Sequence, residues 1–180
     1  MKRWVFLKSA LAAAAILSFG AASSAMAALA VGAAAPGFSA PGTQSGAAMT
    51  VDLSELLKQG PVVLFFFPTV FTGDSAAECH AFADTIETFR AAGASVVGMS
   101  RDPVDTLTRF SAEECAGKFP MASADLGIVT SFDVNDSANF ATRTTYVIAP
   151  SGKIAFVYDD QGDVGGHAKN ALAFVQGMKR

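Results

Sequence analysis

The chain has 180 residues, 51% of them hydrophobic and 16% charged, with a net charge of −3. That length suits a single domain, and the composition excludes intrinsic disorder and collagen-like or low-complexity chains. Two cysteines, two histidines and no Lys/Arg stripe exclude a disulfide scaffold and a four-ligand zinc site, and they argue against nucleic acid as a partner.

Residues 1–27 read as a cleavable leader. Lys2, Arg3 and Lys8 form a positive start, Ala10 to Phe19 an apolar run, and Ser23 to Ala27 a small-residue tail with an A-x-A site. The run is too short for a stable membrane span. Export is therefore expected, to a compartment such as the bacterial periplasm where disulfides persist. Loss of the leader takes the net charge from −3 to −6, and no membrane contact is expected afterwards.

From Val31 to Arg180 no linker or repeat interrupts the chain, so one domain is predicted. Residues 31–50 predict an extended arm with a short hairpin, because Pro36 and Pro41 block regular structure. A helical turn or two follows from Asp52 to Lys58, stopped by Gly60-Pro61. Val62 to Phe67 is an unbroken apolar run between prolines, the pattern of a strand buried on both faces. Thr72 to Ala92 predicts a helix with Phe82, Ile86 and Phe89 on one face and Gly93 at its end. Ser95 to Ser100 predicts a second buried strand.

Asp102-Pro103 predicts the start of another helix, with Asp102 as its N-cap, carried inward by Leu107 and Phe110 to about Cys115. A short helix is expected from Ala124-Asp125 to Phe132. Two strands, Thr144 to Ile148 and Ile154 to Tyr158, flank the turn signal Ala149 to Lys153. A last helix is expected from His167 to Met178. Strand, helix, strand implies a right-handed parallel crossover, and the closing hairpin adds antiparallel strands. The α/β class follows: a mixed central sheet with helices on both faces, in the layout of a thioredoxin-like fold.

The chemistry is expected where the first core strand meets its helix. Free N–H groups and the helix dipole there stabilise an anion, and a thiolate so placed has a depressed pKa. Pro68, Thr72 and Glu78 stand at the spacing Pro-x-x-x-Thr-x-x-Cys-x-x-Glu. Further on come Met99-Ser100-Arg101-Asp102, then Phe119-Pro120 before Ala124-Asp125, then Arg143 to Ile148 before Pro150-Ser151-Gly152. In this order and spacing, from about Val31 to Arg180, the chain resembles the peroxiredoxins, most closely the peroxiredoxin Q (bacterioferritin-comigratory) type.

The resemblance implies thiol-dependent reduction of hydroperoxides, with a thioredoxin-like or other dithiol as reductant. It implies no cofactor or metal, and a monomer or dimer. It assigns Pro68 to shielding the pocket, Thr72 to hydrogen-bonding the reacting oxygens, and Arg143 to lowering the thiolate pKa and polarising the peroxide. It places the peroxidatic cysteine on Ser75. A serine hydroxyl has no accessible anion near neutral pH and cannot pass through a sulfenic acid.

Two cysteines remain. Cys79 lies one helical turn beyond Ser75, ~6 Å away on the same face. It is a displaced nucleophile or a small buried residue. Cys115 is a resolving thiol, one half of a static Cys79–Cys115 disulfide, or free. His80 reads as a helix-surface or core histidine and His167 as exposed. Asp74 reads as a helix cap whose charge opposes a nearby thiolate. Asp159, Asp160 and Asp163 lack calcium-loop spacing and read as a solvated acidic loop. Two functions are thus open: a peroxidase working through Cys79 and Cys115, or a degenerate relative that binds clients or switches through the Cys79/Cys115 pair.

Overall fold

The computed structural model describes residues 28–178. The predicted leader, residues 1–27, lies outside them. Among the described residues no helix is long and apolar enough to cross a membrane.

The arm forms a hairpin of β1 (Ser39–Gln44) and β2 (Ala47–Asp52), turned by Ser45 and Gly46, both at positive φ. Asp52 then caps α1 (Leu53–Leu57), its carboxylate accepting from the backbone N–H groups of Ser54 and Glu55. The apolar run is β3 (Val62–Phe66), followed by α2 (Gly73–Ala91) and β4 (Ser95–Ser100). Next come α3 (Val104–Glu114), β5 (Met121–Ser123) and α4 (Leu126–Ser131). The hairpin β6 (Thr144–Ile148) and β7 (Ile154–Tyr158) precedes α5 (Val164–Gly177).

The strands form one mixed sheet in the order β2-β1-β5-β4-β3-β6-β7. β3, β4 and β5 run parallel, and the neighbours on either side are antiparallel. β3 is central and buried on both faces, as its composition predicts. Val63, Phe65 and Phe67 point into one core with Phe82, Ile86 and Phe89 of α2, Phe110 of α3 and Val175 of α5. Val62, Leu64 and Phe66 point into the other, with Leu53 of α1, Val129 of α4 and Tyr146 of β6. This two-sided burial fixes the end of β3, and so the loop that leads into α2.

Several expectations need correction. The helix after Ser100 begins at Val104, with Pro103 in the cap position and no side-chain cap bond. Asp102 does not cap it, because its carboxylate is used across the chain. Asp74 is not a cap either. It lies in the first turn of α2, and Thr72 takes the cap position, its hydroxyl accepting from Ser75 N–H. The last helix starts three residues before His167, capped by Asp163. His167 is not exposed but completely buried. β5 was not expected at all.

Candidate active site

Pro68 ends the strand ladder, and Asp102 shapes the loop that follows. One Asp102 oxygen accepts from Thr69 Oγ1 at 2.9 Å, and the other from Val70 N–H at 3.0 Å and Ser100 Oγ at 2.7 Å. The end of β4 thereby holds the loop at the end of β3. Phe71 then takes a positive φ of 55°. Its ring packs edge-on against Phe110, with the Arg109 guanidinium over it at 5.3 Å. Asp102→Ala removes three bonds to a carboxylate and is expected to cost about 2 kcal/mol. Urea denaturation measures that loss, and faster exchange of the Val70 amide localises it.

Ser75 is buried at the start of α2. Its hydroxyl donates to the Thr69 carbonyl at 2.7 Å and accepts from Thr72 Oγ1 at 2.9 Å. The Thr72 hydroxyl thus links cap and seat. The structure brings Thr72 and Ser75 together at one helix start, with Pro68 at the head of the loop that leads into it.

Glu78 lies one turn further along and is fully buried. Its Oε2 accepts from Arg143 Nε at 2.9 Å. Arg143, also buried, donates from Nη1 to the Gln161 carbonyl at 3.1 Å. Gln161 clasps the Arg143 backbone as well, accepting from its N–H at 2.8 Å and donating to its carbonyl at 2.7 Å. The guanidinium is therefore committed to Glu78 and Gln161 rather than bonded to Ser75. Burial pushes the Glu78 carboxyl up to about 7, against the opposing pull of Arg143.

Cys79 and Cys115 form a disulfide with Cα atoms 5.3 Å apart. Both are fully buried in the core shared by α2 and α3. Of the alternatives left open by the sequence, the free pair is excluded. Beside the bridge, His80 Nε2 lies 3.0 Å from Glu114 Oε2, joining the same two helices at the surface. Asp160 and Asp163 do turn and cap work, accepting from Gly162 N–H and Gly166 N–H. Sequence reasoning missed Gln161, and it misassigned Asp102 and His167.

A model of the AhpC/TSA family matches residues 31–157. The chain belongs to this peroxiredoxin family. A Mycobacterium tuberculosis protein named as a peroxiredoxin is 36% identical over 133 residues, covering 71% of this chain and 85% of that protein. The chloroplastic peroxiredoxin Q of Sedum lineare is 33% identical over 132 residues, covering 72% of this chain and 70% of its own. Among solved structures, peroxidoxin BcpB from M. tuberculosis matches with a TM-score of 0.76 at 30% identity, over 83% of this chain and 98% of that one. AhpC from the same organism, at 23% identity and a TM-score of 0.74 over 85% and 94% of the two chains, shares the fold. In this peroxiredoxin both cysteines lie in the core beyond the start of α2, at Cys79 and Cys115, while Ser75 lies in its first turn.

Proposed function

We propose that the protein reduces hydroperoxides with a thiol pair, Cys79 attacking and Cys115 resolving. The observation that carries this reading is the Cys79–Cys115 disulfide, one turn inside the helix whose start holds Thr72 and Ser75. In the reduced protein the Cys79 thiolate attacks one peroxide oxygen. The O–O bond breaks, an alcohol leaves with a proton, and Cys79 becomes a sulfenic acid. The Cys115 thiol condenses with it, water leaves, and the disulfide forms. An external thioredoxin-like dithiol returns two electrons and two protons by exchange. Both sulfurs are buried, so exchange requires α2 and α3 to part locally, and the His80–Glu114 contact opens with them.

The leader supports export, and an exported chain meets the oxidising conditions in which such a bridge persists. A second reading has its own support. The Ser75 hydroxyl is fully engaged by Thr69 and Thr72, and both cysteines are buried in a bridge, as in a family member that keeps the fold without turnover. Peroxide consumption with a dithiol reductant separates the two. Cys79→Ser is expected to abolish it, while Ser75→Ala still consumes peroxide. A wild-type protein that loses no thiol on exposure to peroxide overturns the peroxidase reading.

A further inference from the structure

Behind the Glu78–Arg143 pair lies a titratable group that the chemistry above does not use. Glu78 Oε2 takes the Arg143 bond, while Oε1 is buried with no hydrogen-bond partner. The His167 ring faces that bare oxygen, its Nδ1 3.8 Å away. His167 Nε2 lies 2.9 Å from the Asp160 carbonyl. A carbonyl only accepts, so Nε2 carries the hydrogen. In the neutral ring Nδ1 then has a lone pair, and it accepts from the Thr145 hydroxyl at 2.9 Å. With its one Nδ1 lone pair taken by the Thr145 hydroxyl and no hydrogen on that nitrogen, the ring offers the buried Glu78 Oε1 no donor. A buried oxygen left without a donor favours a proton of its own.

We propose that Glu78 and His167 form a single-proton site behind Arg143, with His167 as a positioning residue that keeps Glu78 Oε1 free of any donor. With the site empty, Arg143 faces a carboxylate and its charge is cancelled. With the site filled, Arg143 faces a neutral acid, and its positive charge is available to an anion at the start of α2. The surrounding charges are few. Asp74 on α2 favours the proton on Glu78, and Arg143 opposes it. On the α5 side, Asp160 and Asp163 act on His167, Lys169 acts on Asp163, and the Tyr158 ring from β7 stands edge-on to the imidazole at 4.9 Å. Burial, the largest influence on both groups, raises Glu78 to about 7 and lowers His167. Both shifts place the proton on the carboxyl rather than on the ring. The effect on turnover rests on the peroxidase reading; the proton site itself does not.

The test is a titration of the oxidised protein by nitrogen NMR, following Arg143 Nε and the His167 ring from about pH 5 to about pH 9. The Arg143 resonance is expected to move in one step with a midpoint near 7, while His167 keeps the signature of a neutral ring through that step. Glu78→Gln is expected to abolish the step. His167→Gln supplies an amide donor to Oε1 and is expected to lower the midpoint by about one unit or more. No step in the wild type, an imidazolium signature accompanying the step, or an unchanged midpoint in His167→Gln overturns the proposal. The wild-type titration decides even if a variant fails to fold. A step in a protein that consumes no peroxide keeps the proton site and removes the peroxidase reading. Peroxide consumption without a step does the reverse.

Discussion

Ser75→Cys is expected to raise the rate of peroxide consumption by on the order of 10- to 100-fold over the wild type. The reason is the thiolate fraction. Cys79 lies in an apolar core, where a reduced thiol resists ionisation, whereas residue 75 lies in the first turn of α2 beside the Thr72 cap. Its backbone N–H already points at Thr72, and its side chain already occupies a buried niche, so sulfur enters with little rearrangement. Two groups limit the gain. Asp74 places a negative charge in the same turn, and Glu78 cancels Arg143 once it ionises. The gain is therefore expected to be larger below pH 7 than above it. A variant no faster than the wild type, with its new thiol titrating at or above the free-cysteine value, shows that the niche no longer supports a reactive sulfur.

Reduction of the disulfide is expected to cost roughly 3–4 kcal/mol of stability in the chain-entropy model. The bridge closes a loop with a sequence separation of 36. For a chain of this size that loss lowers Tm by roughly 10 °C. The contacts themselves survive, because two thiols fit the same apolar space. Cys115→Ser is expected to lose more than reduction does, since it buries a hydroxyl among phenylalanines. Thermal unfolding followed by circular dichroism, with and without a dithiol, measures both effects. An unchanged Tm in a sample whose thiols titrate as fully reduced contradicts this account of the bridge.

The fold was legible where burial is repetitive. Val62 to Phe67 reads as a two-faced strand because all six side chains are buried. Phe82, Ile86 and Phe89 mark the inner face of α2 for the same reason. What the sequence concealed depends on partners distant along the chain. Asp102 before a proline has the local form of a cap, yet its carboxylate serves Thr69 and Val70, more than thirty positions away. β5 has only three residues, too few for a periodicity, and it exists because β1 and β4 flank it.

His167 after two glycines has the look of a loose helix start. Those glycines instead lie in the first turn of α5, where a Cβ on Gly166 would collide with the Asp163 carboxylate. At the site itself the spacing of Pro68, Thr72 and Glu78 was readable. The Arg143 partnership was not, because it depends on Gln161, a residue with no motif around it.

The bridge also has a topological consequence. Cys79 and Cys115 lie on either side of β4 in the chain, so the covalent ring encloses most of α2 and all of β4 and α3. A protease that nicks the Gly93 turn of the oxidised protein yields two pieces that stay joined, migrating as one band until a reductant is added. The two pieces remain tethered through the bridge between α2 and the end of α3, and the clipped molecule can re-anneal as a unimolecular species.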